Sequence, residues 1–220
     1  MSEQQLPTRP LVPLRGQARA TSVLVALSAL AGVAVTVADW HTSSVADDYI
    51  ADIAGLTMAD LRDAEGLSRV LAVTHVVITL VAGGLFLLWS WRARLNAEAL
   101  SPARHHRARG WVVGGWLCPL VNFWFPAQVL SDIEKASRAE ARTETDLTHL
   151  RGDPLIGRWW AVLVVSVLLD QYVTQIVLRT VSAETLREAA VLTTAATALQ
   201  AIAAGMVIVL VHRVTAAQAA

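Results

Sequence analysis

Few residues in this chain have both the side chain and the surroundings that chemistry requires. Asp170 and His75 each lie within a long apolar run, where an ionisable group is costly unless it is paired, neutral or in contact with water. Gln171 follows Asp170 directly, and Gln200 lies in the next apolar run. We expect these four side chains to form a polar cluster between helices.

Three interpretations of this polar cluster stay open. Polar side chains that only hydrogen-bond between helices stabilise a bundle and have no further role. A titrating pair, Asp170 with His75, would instead form a binding or proton-linked site. A catalytic site would need a nucleophile, which neither residue supplies, so we assign no catalytic residue.

The sequence contains no established motif for a metal, a cofactor or a phosphate group. Cys118 is the single cysteine, which excludes an internal disulfide and a cysteine-based zinc site. Seven acids between residues 39 and 69 could bind a hard cation, but their spacing fits no EF-hand loop. His75 has no second histidine at matching depth for haem. We therefore predict no metal and no cofactor.

The composition indicates which elements hold these residues. Hydrophobic residues make up 55% of the 220 residues and charged residues only 16%, whereas soluble domains contain about 25% charged residues. The 18 basic and 18 acidic residues balance, which argues against nucleic acid as a partner. We predict an all-α, multi-pass membrane protein in contact with the lipid bilayer.

Four apolar runs are long enough to cross a bilayer, which requires about 20 residues per helix. They lie within a predicted membrane domain over residues 20–212, between a disordered tail over 1–19 and a short tail over 213–220. The first run could instead belong to a signal peptide, since Thr36-Val37-Ala38 loosely resembles a cleavage site. The predicted spans are residues 20–38, 70–91, 159–178 and 189–211.

A fifth apolar run, residues 111–130, contains Pro119 and Pro126, and proline breaks a helix. If this run does not cross, 14 basic residues lie inside and 4 outside, whereas the split is 10 to 8 if it crosses. Lys and Arg are retained on the cytoplasmic side. We therefore predict four transmembrane helices, cytoplasmic N- and C-termini, and a re-entrant or interfacial hairpin on the cytoplasmic side at 111–130.

The connections between these runs carry helical and basic signals. A short helix is predicted to begin near Thr57 in the outer loop. Ser131-Asp132-Ile133-Glu134 has capping-box spacing, which predicts a short surface helix over 131–144 with a Glu134–Arg138 ion pair. Cytoplasmic retention explains the basic loop 92–110, and binding of anionic lipid there is the alternative.

The hairpin sequence has three physical features and a family resemblance. Its tryptophans favour the headgroup region, its glycines allow close approach of another helix, and Asn122 can hydrogen-bond backbone groups freed at the bend. The segment from Trp91 to Ser137 resembles an actinobacterial membrane-protein family known as domain of unknown function 4328. The residues that carry the resemblance are Asn96, Arg109, Gly110, Trp111, Trp116, Pro119, Asn122, Trp124, Pro126, Gln128 and Asp132.

The resemblance would cover residues 70–212 and implies an architecture but no activity. Glu134 stands where we expect an aromatic residue, and the His105-His106 pair also departs from the family pattern. These departures leave open how deeply the 131–144 helix inserts. The excess of arginine over lysine suits a bacterial genome rich in GC, so we expect the protein in a bacterial plasma membrane.

These observations favour a non-catalytic function. We expect a membrane scaffold or accessory subunit whose hairpin and basic loop bind anionic lipid, a membrane protein partner or a second copy of the chain. The alternative is a small-molecule or ion transporter, or an outward-facing sensor, that uses Asp170 and His75. A third interpretation is an intramembrane lipid-modifying enzyme.

Overall fold

The computed structural model describes residues 10–51, 55–179 and 183–219. These ranges contain six α-helices and no strand. Short 3₁₀ turns follow the third and fourth helices, at Val121–Phe123 and Ala139–Arg142. The helices are α1 (Arg15–Ile50), α2 (Met58–Leu100), α3 (Trp111–Leu117), α4 (Phe125–Ala136), α5 (Pro154–Arg179) and α6 (Ala183–Ala217).

Four of the helices, α1, α2, α5 and α6, are long and apolar enough to cross a membrane. The predicted all-α, four-span architecture is therefore confirmed, and the chain is a multi-pass membrane protein. The helices are longer than the predicted spans because polar residues at their ends continue the helical backbone. For example, the 43 residues of α2 extend about 65 Å at 1.5 Å per residue, whereas the hydrocarbon core is about 30 Å thick.

The start of α2 coincides with the helix predicted near Thr57. The backbone N–H and the hydroxyl of Thr57 donate to Asp60 Oδ2 at 2.8 and 2.6 Å, and the Asp60 N–H donates back to Thr57 Oγ1 at 3.4 Å. This reciprocal cap fixes the first turn. The helix is not a separate short one, however, because no proline interrupts the chain between this cap and the apolar run. Asp52 of the same acidic loop lies outside the described residues.

The two predicted tails need correction. Helix α1 begins at Arg15, and Leu14 before it is buried. At the other end, α6 continues to Ala217, and Gln218 is buried. Composition could not predict that these two segments are structured, because their structure depends on contacts with residues far away in the sequence. Residues 1–9 of the predicted N-terminal tail lie outside the described residues.

The run 111–130 does not form one continuous helix. Helix α3 ends at Leu117, Pro119 lies in the break, and α4 begins at Phe125. Pro126 lies in the first turn of α4, where the missing N–H of a proline has no helical partner to lose. Of the two prolines expected to break the run, one lies in the break and the other begins the next helix.

Helices α3 and α4 pack against each other at Gly115. A Cβ added there would lie 3.2 Å from Cβ of Phe125, which is closer than side chains normally approach. The close approach predicted for the glycines of this segment is thus seen at Gly115, whereas an added Cβ at Gly110 would meet open space.

The helix predicted over 131–144 also needs correction. Ser131 and Glu134 lie inside α4, which ends at Ala136, so the capping-box pattern begins no helix here. The predicted Glu134–Arg138 pair is confirmed, with Arg138 Nε 2.7 Å from Glu134 Oε1 and Nη2 2.9 Å from Oε2.

The chain divides into two compact units, each made from separate stretches of sequence. We call the first the hairpin unit, because it contains α3 and α4. We call the second the span unit. The described residues of the hairpin unit are 10–22, 83–160 and 206–219, and those of the span unit are 23–51, 55–82, 161–179 and 183–205.

Candidate functional site

A buried carboxylate in the hairpin unit fixes the basic loop to α4. Asp132 is 2% exposed. It accepts hydrogen bonds from the backbone N–H and from ring Nδ1 of His106, both at 2.7 Å. A buried carboxylate without partners would be strongly destabilising, so these two donors account for its position. The interaction joins residues 26 apart in the sequence.

A second group of charges ties α2 to the same loop. The Arg94 side chain is 4% exposed; its Nε donates to Glu98 Oε1 at 2.7 Å, and its Nη2 donates to the carbonyl of Arg107 at 2.9 Å. Arg109 pairs with the other carboxylate oxygen of Glu98. Glu98 therefore bridges two arginines, so that neither Arg94 nor Arg109 is left as an unpaired charge.

Arg107 connects the loop to α4 by a third contact. Its guanidinium carbon lies 4.0 Å from the ring centroid of Phe125, a cation–π geometry. Its Nε donates to Gln128 Oε1 at 3.2 Å. Cytoplasmic retention alone therefore does not account for these arginines, because three of them make specific contacts within the unit.

His105 lies between these charged groups without a hydrogen bond of its own. Both of its ring nitrogens are buried and lack a partner within the described ranges. Burial, reinforced by the positive charge of Arg94, lowers the pKa of His105 to about 4. The imidazole is therefore neutral at neutral pH, which avoids a further positive charge beside Arg94.

Asn96 holds the segment that precedes α1. Its Oδ1 accepts from the backbone N–H of Val12, and its Nδ2 donates to the carbonyl of the same residue, both at 2.8 Å. An amide side chain that pairs with both backbone groups of one residue acts like a neighbouring β-strand. The two bonds place residues 10–14 against α2.

The end of α6 is held in a similar way. Gln218 donates to the carbonyl of Ala93 at 2.8 Å and to Ser137 Oγ at 2.7 Å. Trp89 Nε1 donates to Thr215 Oγ1 at 3.1 Å. Sequence reasoning missed these residues, and no local pattern marks them. Arg94 and Glu98 were also missed, although their spacing of four residues on one helix predicts a pair.

Aromatic rings fill the space around α3. Trp116 lies 5.9 Å from Phe86 and 5.6 Å from Trp160, both edge to face. Trp111 lies 4.7 Å from Phe125 in the same geometry. Such edge-to-face pairs stabilise by about 0.5–1.5 kcal/mol beyond burial of their area. Trp111 and Trp116 therefore act as packing residues within the unit.

The segment between α3 and α4 is apolar and exposed. We call residues 117–124 the hairpin tip. Leu117 and Leu120 are 75% and 76% exposed. The carbonyl of Phe123 accepts a hydrogen bond from Trp160 Nε1 at 2.6 Å, which holds the tip at its base. The exposed residues of the hairpin tip are Leu117, Cys118, Pro119, Leu120, Phe123 and Trp124.

Asn122 does not take the role predicted for it at the bend. Its Oδ1 is buried and accepts no hydrogen bond from the part of the chain that the structure describes. Backbone groups close the bend instead: the Asn122 N–H donates to the carbonyl of Cys118, and the Trp124 N–H to that of Val121, both at 3.1 Å.

In the span unit, two of the four predicted polar residues meet. Gln200 Nε2 donates to Asp170 Oδ2. The ring of His75 packs on α1, where an added Cβ at Gly32 would lie 3.3 Å from its Nε2. Gln171 is exposed. Among the described residues, no hydrogen bond or ion pair joins His75 to Asp170.

Within the described ranges, no group of three or more His, Cys, Asp or Glu side chains is placed to hold a metal ion. Many polar groups of the hairpin unit hydrogen-bond one another instead. They form a rigid base beneath an exposed apolar tip, which is an arrangement suited to binding.

Comparison with known proteins gives one match, to a family model. The model described as a domain of unknown function (DUF4328) matches residues 52–216, so the match begins before residue 70, where the resemblance was predicted to start. No curated protein matches, and no solved structure matches. Because the family model spans well over half of the chain and includes α3, α4 and the loop before them, the protein belongs to the DUF4328 family.

Proposed function

We propose that this membrane protein is a non-catalytic scaffold or accessory subunit whose hairpin unit binds anionic lipid at the membrane surface and docks a partner protein there. The observation that carries the proposal is the exposed apolar hairpin tip. A contiguous exposed apolar surface marks a site of contact with a membrane or another protein. Tryptophan at such a site, as at Trp124, favours the interface between headgroups and hydrocarbon.

The charge of the neighbouring loop supports binding of anionic lipid. Arg104 is exposed, and its side chain engages no partner within the described ranges. Arg107 and Arg109 are held by internal contacts, so they keep the loop rigid while leaving its net charge positive. Basic side chains beside a membrane attract anionic headgroups by about 1 kcal/mol each.

The distribution of basic residues supports the orientation. With the hairpin tip placed on the cytoplasmic side, 14 of the 18 basic residues lie in cytoplasmic segments, as expected for retention of Lys and Arg. We propose a bacterial plasma membrane with both termini in the cytoplasm.

The position of the tip is testable through the single cysteine. Cys118 is exposed within the tip, so an environment-sensitive fluorophore can be attached there without engineering the chain. We expect quenching by nitroxide lipids but little quenching by aqueous iodide after reconstitution. Strong iodide quenching would mean that the tip faces water, which would remove insertion from the proposal.

Lipid binding is tested by comparing two arginine variants in nanodiscs with and without phosphatidylglycerol. The wild type should unfold at a higher temperature in the anionic nanodiscs. Arg104→Gln should lose part of this lipid-dependent increase while keeping its stability in neutral lipid. Arg109→Gln is the comparison variant, because loss of its pair with Glu98 should lower stability in neutral lipid as well, which Arg104→Gln should not do. An unchanged lipid-dependent shift in Arg104→Gln would contradict the proposal.

Partner binding is tested by native mass spectrometry of the protein extracted gently from its host membrane. A second protein or a fixed homo-oligomer would support the scaffold. Gly83 and Gly84 have open space where a Cβ would lie, so a neighbouring helix can approach closely there. A monomer that retains only a metabolite would favour the second candidate below.

A second candidate is a small-molecule or ion transporter, or an outward-facing sensor. The specific observation that favours it is the hydrogen bond between Asp170 and Gln200 within two spans. Asp170→Asn separates the candidates. A cellular phenotype that survives Asp170→Asn but is lost in Trp124→Ala fits the scaffold. The reverse pattern fits the transporter.

A further inference from the structure

The carboxyl group of Asp170 lies inside a span and has an uncharged hydrogen-bond partner. The apolar run of α5 continues to Leu178, so Asp170 lies about 12 Å before its end at 1.5 Å per residue. The donor to its Oδ2 is the amide of Gln200. An amide supplies a hydrogen bond but no charge, so it does not offset the cost of an ionised carboxylate in an apolar environment.

Further polar groups continue from Gln200 onto α1. Thr197 lies three residues before Gln200, on the same face of α6. The hydroxyls of Thr197 and Thr36 are 2.8 Å apart. Thr36 donates its own proton to the carbonyl of Gly32 at 3.2 Å, so Thr197 is the donor between the two hydroxyls.

The last polar group in this series is His75 on α2. Its ring packs against Gly32, one turn before Thr36. The side chain that hydrogen-bonds the Asp170 carboxyl is thus an amide from α6, and the hydroxyls of Thr197 and Thr36 lie further along this series.

We propose that Asp170 is a proton-binding site, its carboxyl group being protonated and neutral when the protein is in the membrane at neutral pH. The ligand is a proton, taken up on a carboxylate oxygen. This inference uses the same side chains as the second candidate function but does not require transport. Labelling tests proton binding and a flux assay tests transport, so either can fail while the other holds.

Dicyclohexylcarbodiimide tests the proposal because it enters the hydrocarbon region and reacts with a protonated carboxyl group. The acid proton moves to a nitrogen of the reagent, and the carboxyl oxygen bonds to its central carbon. Migration of the acyl group to nitrogen then gives a stable N-acylurea. The reaction is an addition without a leaving group, so the protein gains the mass of one reagent molecule.

We expect peptide mapping of the labelled wild type to place the adduct on residue 170. Above the titration point of the carboxyl, labelling should fall about tenfold per pH unit. Asp170→Asn should lose the adduct. The matched control is Asp48→Asn, which removes an exposed acid of α1 and should leave labelling by the apolar reagent unchanged.

Infrared spectroscopy gives a second measurement that does not depend on access of the reagent. The carbonyl stretch of a protonated carboxylic acid is separate from the bands of a carboxylate. A difference spectrum between the wild type and Asp170→Asn should contain the acid band at neutral pH. A carboxylate band in its place would overturn the proposal, as would labelling that survives in Asp170→Asn.

Discussion

In the hairpin unit charged and amide side chains are buried with partners, whereas in the span unit large apolar side chains face outward. Arg94, Asn96, Asp132 and Gln218 are all buried in the hairpin unit and hydrogen-bonded to groups distant in the sequence. Among its polar side chains, the described part of the span unit buries only the hydroxyls of Thr36 and Ser166, and both donate to their own helix.

This difference indicates how the fold of each unit is stabilised and what surrounds it. Directional bonds to buried polar groups specify one arrangement, and they are costly to leave unmade. The span unit instead exposes residues such as Leu30 and Leu80, at 66% and 71%. Lipid tails are as apolar as leucine, so such a surface is covered by the bilayer rather than by the rest of the chain.

The variant with the largest expected effect on stability removes the buried carboxylate of the hairpin unit. Asp132→Asn should lower the free energy of unfolding by about 2–4 kcal/mol, because the two hydrogen bonds with His106 lose their charged acceptor. Tryptophan fluorescence during thermal unfolding measures this change, since seven of the eight tryptophans lie in the hairpin unit. Asp48→Asn, at an exposed acid of the span unit, is the control and should have little effect. Equal effects of the two changes would contradict the contrast.

The next effect is a pH dependence that belongs to the hairpin unit. The pKa of His105 is lowered to about 4 in the folded protein, from 6.5. The unfolded chain therefore binds a proton that the folded chain excludes. The stability that comes from keeping His105 neutral in the folded protein is complete above pH 6.5 and is lost as the pH falls towards 4. We expect a loss of about 2 kcal/mol between pH 7 and pH 5.

This pH dependence is measured from unfolding midpoints between pH 7 and pH 5, above the range in which most carboxylates titrate. His105→Leu should flatten the profile. His149→Gln, at an exposed histidine, should leave the slope intact. A slope that persists in His105→Leu would assign the pH dependence to another group.

A smaller effect is expected from the contact that holds the first described residues. Asn96→Leu removes two hydrogen bonds to the backbone of Val12 and should cost about 1–2 kcal/mol. Hydrogen exchange at the Val12 amide should become faster in the same variant. Val12→Ala keeps both backbone bonds and should leave this exchange rate nearly unchanged. Slow exchange in Asn96→Leu would show that another contact holds the segment.

The smallest effect tests the span unit. Gly32→Ala places a Cβ 3.3 Å from His75 Nε2, so the ring must move by a few tenths of an ångström. We expect a loss of about 0.5–1 kcal/mol in stability after the gain in helix propensity from alanine is counted. Gly205→Ala is the control, because open space surrounds it, and it should be neutral or stabilising. A stabilising Gly32→Ala would mean that the helices separate there without cost.

The sequence was most informative where local physics decides the structure. Hydropathy identified the four long helices, and the spacing of Glu134 and Arg138 identified their ion pair. The proline at residue 119 marked a real break in the fifth apolar run. Each of these features depends on residues close together in the chain.

Contacts between distant residues could not be predicted in this way. Asn96 pairs with Val12 and Gln218 with Ala93, at separations of 84 and 125 residues, and neither amide shows a periodic signal. The polar cluster was predicted from depth alone, and in the structure one hydrogen bond joins two of its members, Gln200 and Asp170. Depth does not give the direction of a side chain, so it also included Gln171, which is exposed.

The way in which Asn96 holds Val12 has a consequence for how this protein can change over evolutionary time. Both hydrogen bonds end on backbone atoms, so any residue except proline at position 12 can provide them. A substitution there needs no compensating change in Asn96, and the two positions need not covary. The family model begins at residue 52, although α1 and the segment before it belong to the same fold. Recognition of the backbone allows the first helix to diverge in sequence while it keeps its place in the structure.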